Sequence, residues 1–372
     1  MADRVGLSSV RFSIQRSTRT MTIEQPASID VSGSSPANIR AKDNLVSSYL
    51  RIFREFRRRD LTEFCQRHEQ LYRDARSKQD HLEATQHYYG LMADVIETYY
   101  GDGWHFCPPE YAGQSRAEAT TRMYDRISSL LQLKPGMHAL DLGCGVGGML
   151  RYVASQSGAS ITGVTLGENE VQQANQLIQE DELGDRCRVV QGDCQAMPLE
   201  SESFDAVFAV YSLKYYPDLR RVFSEIHRVL KPGGRFAAYC LCKSKKYDPQ
   251  QAEHRKLLND FEYSTAMPSL HTVDGMIETA SSLGLDCISD EDLSKGPLNW
   301  YSYWVGNPIL PWLVSSRMVY GLARSAEAIR FLPKGFAKFN DTFLAGTLRH
   351  IIRGGRTGVL TGSALLTFEK SK

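Results

Sequence analysis

Apolar residues recur along this chain with two different spacings. Leu61, Phe64, Cys65, His68, Leu71 and Tyr72 fall at i, i+3, i+4, i+7, i+10 and i+11, which is one stripe of an amphipathic helix. Tyr88, Met92, Val95 and Tyr99 form a second stripe, with Ile96 and Tyr100 beside it, and predict a helix over 84–100. A third helix is expected from Ser115 to Leu131, stopping before Lys134-Pro135-Gly136 because proline cannot continue it. Beyond that stop the texture changes to short apolar runs alternating with amphipathic stretches. The runs predict strands at 138–142, 160–165, 188–190, 204–210, 235–241, 285–293 and 358–368, with helices at roughly 147–157, 168–181, 218–230 and 271–283. Such alternation implies an α/β fold: a doubly wound, mostly parallel, seven-stranded sheet with helices on both faces. Between Asn299 and the last strand the chain is aromatic and helical.

Residues 1–43 carry eight serines and little aliphatic pattern, so the expectation there is a disordered tail. Within the first twenty residues Arg4, Arg11, Arg16 and Arg19 against the single acid Asp3 also suit a mitochondrial transit segment, although no clear apolar helix face accompanies them. The expected organisation is therefore a tail (1–43), a helical cap (44–132), a nucleotide-type domain (133–296) and a C-terminal region with the last strand (297–372). Lys plus Arg number 44 and Asp plus Glu 43, so no global field recruits nucleic acid and partners must be met locally. No apolar run reaches the ~18 residues a spanning helix needs, which implies a protein that is soluble or lies on a membrane without crossing it. The eight cysteines read as thiols, and Cys240 and Cys242 as neighbours on one strand face rather than half of a metal site; no metal is expected.

The chemistry is expected where the first strand ends. Asp141-Leu142-Gly143-Cys144-Gly145-Val146-Gly147-Gly148 runs from strand into helix, so Gly143, Gly145 and Gly147 let a ligand approach the backbone at the sheet's carboxyl edge. Dehydrogenases place a glycine loop there for a pyrophosphate, but the charge of Asp141 would repel one and suits the ammonium and sulfonium of S-adenosylmethionine. Thr165, Leu166 and the acids Glu168 and Glu170 end the second strand within reach of ribose hydroxyls, or are solvated first-turn acids. Asp193, with Cys194 after it, could accept from an adenine amine, with Met197 against the ring. Tyr211 after the fourth strand completes the cofactor side.

These motifs, with His227-Arg228-Val229-Leu230-Lys231-Pro232-Gly233-Gly234, resemble the class I S-adenosylmethionine-dependent methyltransferases. The resemblance extends to the sterol C-methyltransferase family through His87-Tyr88-Tyr89-Gly90, Gly103-Trp104-His105-Phe106, the loop Leu142 to Gly148, and Lys246-Tyr247-Asp248 with Glu253-His254-Arg255. It covers residues 84 to 370. It implies a Rossmann-like fold, S-adenosylmethionine as cofactor, a sterol as substrate, and association with the endoplasmic reticulum, on its cytoplasmic face or in the cytosol. Tyr88, Tyr100, Trp104, Phe106, Tyr216, Trp300 and Trp304 are then the expected sterol contacts, and Tyr89, His105, Lys214 and Tyr215 the expected catalytic groups. For each aromatic, burial in an ordinary core is the competing reading.

Two departures from the family pattern bear on the substrate. Side-chain-methylating members carry Glu, Cys and His before a proline after the fourth strand, whereas this chain reads Tyr211-Ser212-Leu213-Lys214-Tyr215-Tyr216-Pro217. The segment Tyr99-Tyr100-Gly101-Asp102-Gly103-Trp104 also differs from that branch. Alkylating a side-chain alkene leaves a carbocation that needs a base; methylating a carbon beside a ring ketone needs donors for an enolate oxygen, which Lys214, Tyr215 or Tyr216 could supply. The expectation is methylation at C-4, ahead of C-24. Alternatives are another lipid substrate, since Val164-Thr165-Leu166 also resembles cyclopropane-forming enzymes, a non-catalytic sterol or cofactor sensor, and, more distantly, an NAD-dependent oxidoreductase. The aromatic, proline-broken stretch Trp300–Leu322 suits a lid, a peripheral membrane contact or plain packing.

Overall fold

The computed structural model describes residue 56 and residues 60–100, 105–293, 299–301 and 316–372, the side chains of 93–100 and of Arg317 excepted. The expected tail, Trp104 and Trp304 lie outside the described residues, as does the side chain of Tyr100.

Helix α1 (Leu61–Lys78) begins where the Asp60 carboxylate accepts from the Thr62 N–H at 2.9 Å, and ends at Gln79 in the left-handed region. Helices α2 (Leu82–Tyr100) and α3 (Arg116–Leu130) follow; α3 opens with a reciprocal capping box between Ser115 and Glu118. The remaining elements are β1 (His138–Leu142), α4 (Gly148–Ser157), β2 (Ser160–Thr165), α5 (Glu168–Glu180), β3 (Cys187–Gln191), β4 (Phe204–Val210), α6 (Leu219–Val229), β5 (Leu230–Lys243), α7 (Ala252–Ser264), α8 (Val273–Ser281), β6 (Leu285–Asp292), α9 (Arg317–Ala328), α10 (Phe336–Phe339), a π turn (Asn340–Leu344), α11 (Ala345–Thr357) and β7 (Leu360–Lys370).

The sheet order is β3-β2-β1-β4-β5-β7-β6, with β1 to β5 parallel and β7 antiparallel to both β5 and β6. Strand order reverses between β1 and β4, so the crevice at their carboxyl ends is where such a sheet takes a ligand. Alternate residues feed two apolar layers. Ala139, Ala206, Phe208 and Tyr239 pack under α3, α4, α5 and α7, while Leu140, Leu142, Val207 and Ala209 pack under α6 and α8. The period of two therefore puts Asp141 on the face of Ala139, and Thr165 on the face of Ile161. Cys240 and Cys242 share the second layer, as expected of one strand face.

Several expectations need adjustment. Strand β5 opens at Leu230 rather than Arg235, because Leu230 pairs with Phe204 across an irregularity that carries Gly233 and Gly234. Helix α7 was not legible as a helix, since its Glu253-His254-Arg255 opening is polar. The cap and the C-terminal region share one core: Leu61, Cys65, Tyr88, Leu91 and Met92 pack with Leu332, Phe336, Phe339 and Phe343. Leu61 N–H donates to the Lys334 carbonyl at 3.0 Å, and a Cβ on Gly335 would stand 2.4 Å from the Thr62 nitrogen, so only glycine permits this seam.

Candidate active site

The loop after β1 is fastened from both sides. Gly143 and Cys144 N–H groups donate to the Val164 carbonyl at 2.9 and 3.0 Å, and Ser212 Oγ donates to the Leu142 carbonyl at 2.6 Å. Gly143 has φ +77°, and a Cβ there would lie 2.4 Å from Ser212 Cβ. The first glycine thus allows the loop to lie against the segment after β4. Gly145 and Gly147 also have positive φ, and Gly147 turns the chain into α4.

Asp141 stands beneath this loop. Its residue surface is 4% exposed, and among the described residues no hydrogen-bond donor reaches its carboxylate. Burial alone pushes its pKa from 3.8 up to about 8. A buried, unpartnered carboxyl at the switch point of the sheet is a receptor for positive charge, which fits the cationic end of S-adenosylmethionine and not a pyrophosphate. Along the same edge, Thr165 Oγ1 donates to Glu170 at 2.5 Å, folding that carboxylate back over Gly167, while Leu166 is half-exposed. Asp193 accepts from the Gln195 backbone N–H at 2.9 Å, an Asx turn that leaves its second oxygen only a 3.4 Å contact with the Gln195 amide. Cys194 and Met197 are buried in the second apolar layer, and the Met197 N–H is held by Glu225 at 2.7 Å, so Met197 belongs to the core.

An aromatic cluster forms from distant parts of the chain. The Tyr89 and Tyr215 hydroxyls are 2.5 Å apart, and Lys214 Nζ lies 4.7 Å from the Tyr211 ring centre and 5.0 Å from that of Tyr215. Lys214 is buried, and among the described residues no carboxylate pairs with it; burial pulls its pKa from 10.5 down to about 7. His105 Nδ1 lies 3.3 Å from the Tyr124 hydroxyl, its ring 5.5 Å from that of Tyr211. Burial first, then the nearby charges of Lys214 and Arg116, take the His105 pKa to about 3, so it is a neutral hydrogen-bonding group and a poor base. Burial likewise raises Tyr89 to about 12, which keeps its hydroxyl protonated.

Tyr211 has φ +60°, and its hydroxyl donates to the Gly362 carbonyl while accepting from the Phe106 N–H at 3.3 Å. With that hydroxyl engaged, the ring is what Tyr211 offers, and Lys214 Nζ stands over it. Tyr239 donates to the Phe106 carbonyl at 2.7 Å, so two tyrosines hold the backbone of Phe106. The Phe106 ring packs on Trp300 at 5.1 Å, and a Cβ on Gly362 would strike the Trp300 ring at 2.7 Å.

The structure therefore gathers Tyr89, His105, Phe106, Tyr211, Lys214 and Tyr215, with Tyr88 next to Tyr89 at 5.2 Å and Trp300 behind Phe106. Tyr216 is placed apart from them: it packs in the second layer, and His271 holds its carbonyl at 2.8 Å. The short 3-10 turn Leu213–Tyr215 explains this, sending Leu213 and Tyr216 to one side and Lys214 and Tyr215 to the other. Sequence reasoning missed Tyr124 and Tyr239, which carried no motif; the signal for Tyr124 was its place on the inward face of α3 beside Met123 and Ile127.

Comparison with known proteins agrees with this geometry. A methyltransferase-domain family model matches residues 140–238, from Leu140 in β1 to Ala238 in β5. The chain is 42% identical over 331 residues, 88% of its length and 99% of the relative's, to the sterol 4-C-methyltransferase strm-1 of Caenorhabditis elegans. It is 33% identical over 284 residues, 76% of each protein, to 24-methylenesterol C-methyltransferase 2 of Oryza sativa subsp. japonica. In fold it is similar to geranyl diphosphate C-methyltransferase from Streptomyces coelicolor, solved with S-adenosyl-L-homocysteine, at a TM-score of 0.52 and 18% identity over 70% of this chain and 85% of that one.

Proposed function

The chain belongs to the sterol C-methyltransferase family of S-adenosylmethionine-dependent enzymes, and from that premise we propose that it methylates carbon 4 of a 3-keto sterol. The observation that carries the choice of carbon is the buried group formed by Lys214, Tyr215 and Tyr89: an amine without an acidic partner beside two hydroxyls 2.5 Å apart. A C-4 hydrogen is acidic only through the neighbouring ketone, so this chemistry needs a base for the proton and a donor for the oxygen.

When bound, S-adenosylmethionine supplies an electrophilic methyl group. Asp141 would face its positive end, Gly143 and Gly145 would admit it to the backbone, Thr165 and Glu170 would meet the ribose, and Asp193 the adenine amine. The chain's own residues then prepare the carbon. Lys214, which burial makes largely unprotonated above neutral pH, takes the C-4 proton onto Nζ as the C–H electron pair moves into the enolate and its charge onto the C-3 oxygen. Tyr215 donates to that oxygen, and Tyr89 donates in turn to Tyr215, so the pair acts as a short relay. The two ring faces beside Nζ favour the ammonium once it forms. His105, held by Tyr124, and Phe106, held by Tyr211 and Tyr239, shape the wall in which the ring system would lie. Methyl transfer to the enolate carbon restores the ketone.

Incubation with labelled S-adenosylmethionine and matched 3-keto and 3-hydroxy sterols, with product carbons assigned by NMR, tests the proposal. Methylation of a saturated-side-chain 3-keto sterol at C-4 is the expected result. A product labelled only at C-24, and only from substrates with a side-chain alkene, would overturn the ring assignment in favour of side-chain methylation.

A further inference from the structure

The contact between Tyr124 and His105 decides where one proton sits. Tyr124 is on the buried face of α3 with Met123 and Ile127, and its ring lies 5.6 Å from that of Tyr152 in α4, the helix that the glycine loop opens. Tyr152 in turn donates to Asp125 at 2.9 Å, so α3 is tied to α4 next to Tyr124. Burial first, then Cys107 and Asp141, raise the Tyr124 pKa above its ordinary 10, and the hydroxyl keeps its proton. Its oxygen is 3.3 Å from His105 Nδ1, a length common in a site before a ligand tightens it.

Two proton assignments fit a neutral imidazole there. If Nδ1 carried the proton and donated, the tyrosine proton would be buried without an acceptor, since among the described residues nothing else meets that hydroxyl. If the hydroxyl donates to Nδ1, both groups at the contact are satisfied, and the imidazole proton sits on Nε2. Nε2 lies across the ring from Nδ1 and has no partner among the described residues. His105 is half-buried, so this N–H can be met by a ligand. Both charges that bear on the ring, Lys214 and Arg116, are positive, and an arginine stays charged at every working pH. An N–H held near cations suits an anionic oxygen.

We propose that Tyr124 is a positioning residue: by donating to His105 Nδ1 it fixes the imidazole as the Nε2–H tautomer, and that N–H receives the carboxylate at the amino-acid end of S-adenosylmethionine. One carbon of that cofactor carries an ammonium and a carboxylate side by side, so a site that meets the first with a carboxyl needs a donor close by for the second. Asp141 meets the first, and it stands near enough to the Tyr124 hydroxyl for its charge to be felt there. The enolate oxygen, the other anion of the site, is served by Tyr215. A histidine too weak to act as a base thereby has a role that needs no change of protonation. Resting on the cofactor reading of Asp141, this role is independent of which sterol carbon reacts.

Nitrogen NMR of the histidine-labelled full chain reads the tautomer, with His105→Ala assigning the signals. In the parent, Nε2 of His105 should be pyrrole-type and Nδ1 pyridine-type. S-adenosylhomocysteine should shift the Nε2 signal, and its decarboxylated analogue should not. In Tyr124→Phe, nearly the same shape, the two signals should move toward each other as the ring samples both tautomers. Calorimetry should show this variant losing about tenfold in affinity for S-adenosylhomocysteine and less than about twofold for the decarboxylated analogue. In a His105→Ala background the same change should cost less than about twofold for either ligand, because Tyr124 acts through His105. A parent ring protonated on Nδ1, a result that needs no variant to fold, overturns the proposal. So do equal losses for the two ligands, a tenfold loss that persists without His105, or an Nε2 signal moved by a 3-keto sterol and not by S-adenosylhomocysteine. A parent chain that binds neither cofactor analogue removes the cofactor reading together with this role, whereas each of the other adverse results removes this role alone.

Discussion

Replacing Asp141 with asparagine separates the electrostatic role of this carboxyl from its packing, because the two side chains have nearly the same shape. In the ligand-free protein the folded state holds the Asp141 proton up to about pH 8, whereas the unfolded chain releases it near 3.8. Between those values the native state binds more protons than the unfolded state. Stability is therefore greatest at the acid end and is lost as pH rises through this window, with a slope of ~1.4 kcal/mol per pH unit from this group. At pH 7 the accumulated cost is about 4 kcal/mol, an upper figure because real interiors relax around a charge. Asparagine carries no such term, so the stability gap in favour of Asp141→Asn should widen steadily from pH 5 to 7.5 in denaturant titrations. Cofactor binding should move the other way. A cation bound beside Asp141 favours the ionised form, so binding to the parent chain releases a proton below pH 8 and weakens as the solution is acidified. The variant should lose on the order of 2–3 kcal/mol of affinity and all of the proton release. Calorimetry in two buffers of different ionisation enthalpy reads both quantities. Parallel stability curves, with affinities within threefold and no buffer dependence, would refute the argument.

Three further outcomes are expected. Lys214→Met should be more stable than the parent at neutral pH yet lose more than a hundredfold in kcat, with cofactor affinity within threefold; an active variant would remove Lys214 from the chemistry. The sign follows from a folded pKa of about 7 against 10.5 unfolded: parent stability rises between pH 7 and 10.5 by up to roughly 5 kcal/mol, less the ~0.5–2 kcal/mol each ring returns, while the methionine curve stays flat. Tyr89→Phe and Tyr215→Phe should each lower kcat by tenfold or more, and the double variant by much less than the product, which a double-mutant cycle measures; additive losses would show the hydroxyls act separately. Gly362→Ala should cost ~1–3 kcal/mol of stability, read as a lowered thermal midpoint, because its Cβ would stand 2.7 Å from the Trp300 ring; an unchanged midpoint would mean that Trp300 repacks freely.

Local pattern carried the order of elements well, because strand alternation and helical stripes are written within a few residues of each other. It placed β1, β2 and β4 with their observed bounds and the glycine loop on the turn between β1 and α4. It could not show that Tyr89 meets Tyr215, 126 residues away, since that contact depends on how the cap folds over the sheet. For the same reason the loop after β4 read as three equivalent donors, Lys214, Tyr215 and Tyr216, until the 3-10 turn divided them between two layers. His105 stood among the expected catalytic groups by residue type; burial beside Lys214 makes it neutral, and burial is a tertiary property. Asp141 was legible as a charge at a cofactor loop, but the lack of a donor to it among the described residues was not, and that lack is what suits it to a cation.

The two isolated charges account for one another's chemistry. Asp141 and Lys214 form no ion pair, and burial drives their pKa values from opposite extremes to about 8 and about 7. Had they met, each would have been fixed in its charged form, and neither would have been available to a ligand. Apart, both can rest uncharged near neutral pH, the least costly state for buried groups, and each ionises when a ligand brings the complementary charge: a cation for the carboxyl, an enolate for the amine. The same burial resets the site. On the mechanism proposed above, methylation removes the enolate charge, and the Lys214 ammonium is left against the Tyr211 and Tyr215 rings in a site whose burial disfavours it. Burial would then favour release of that proton to solvent as the product leaves, returning the lysine to the state in which it can accept the next one.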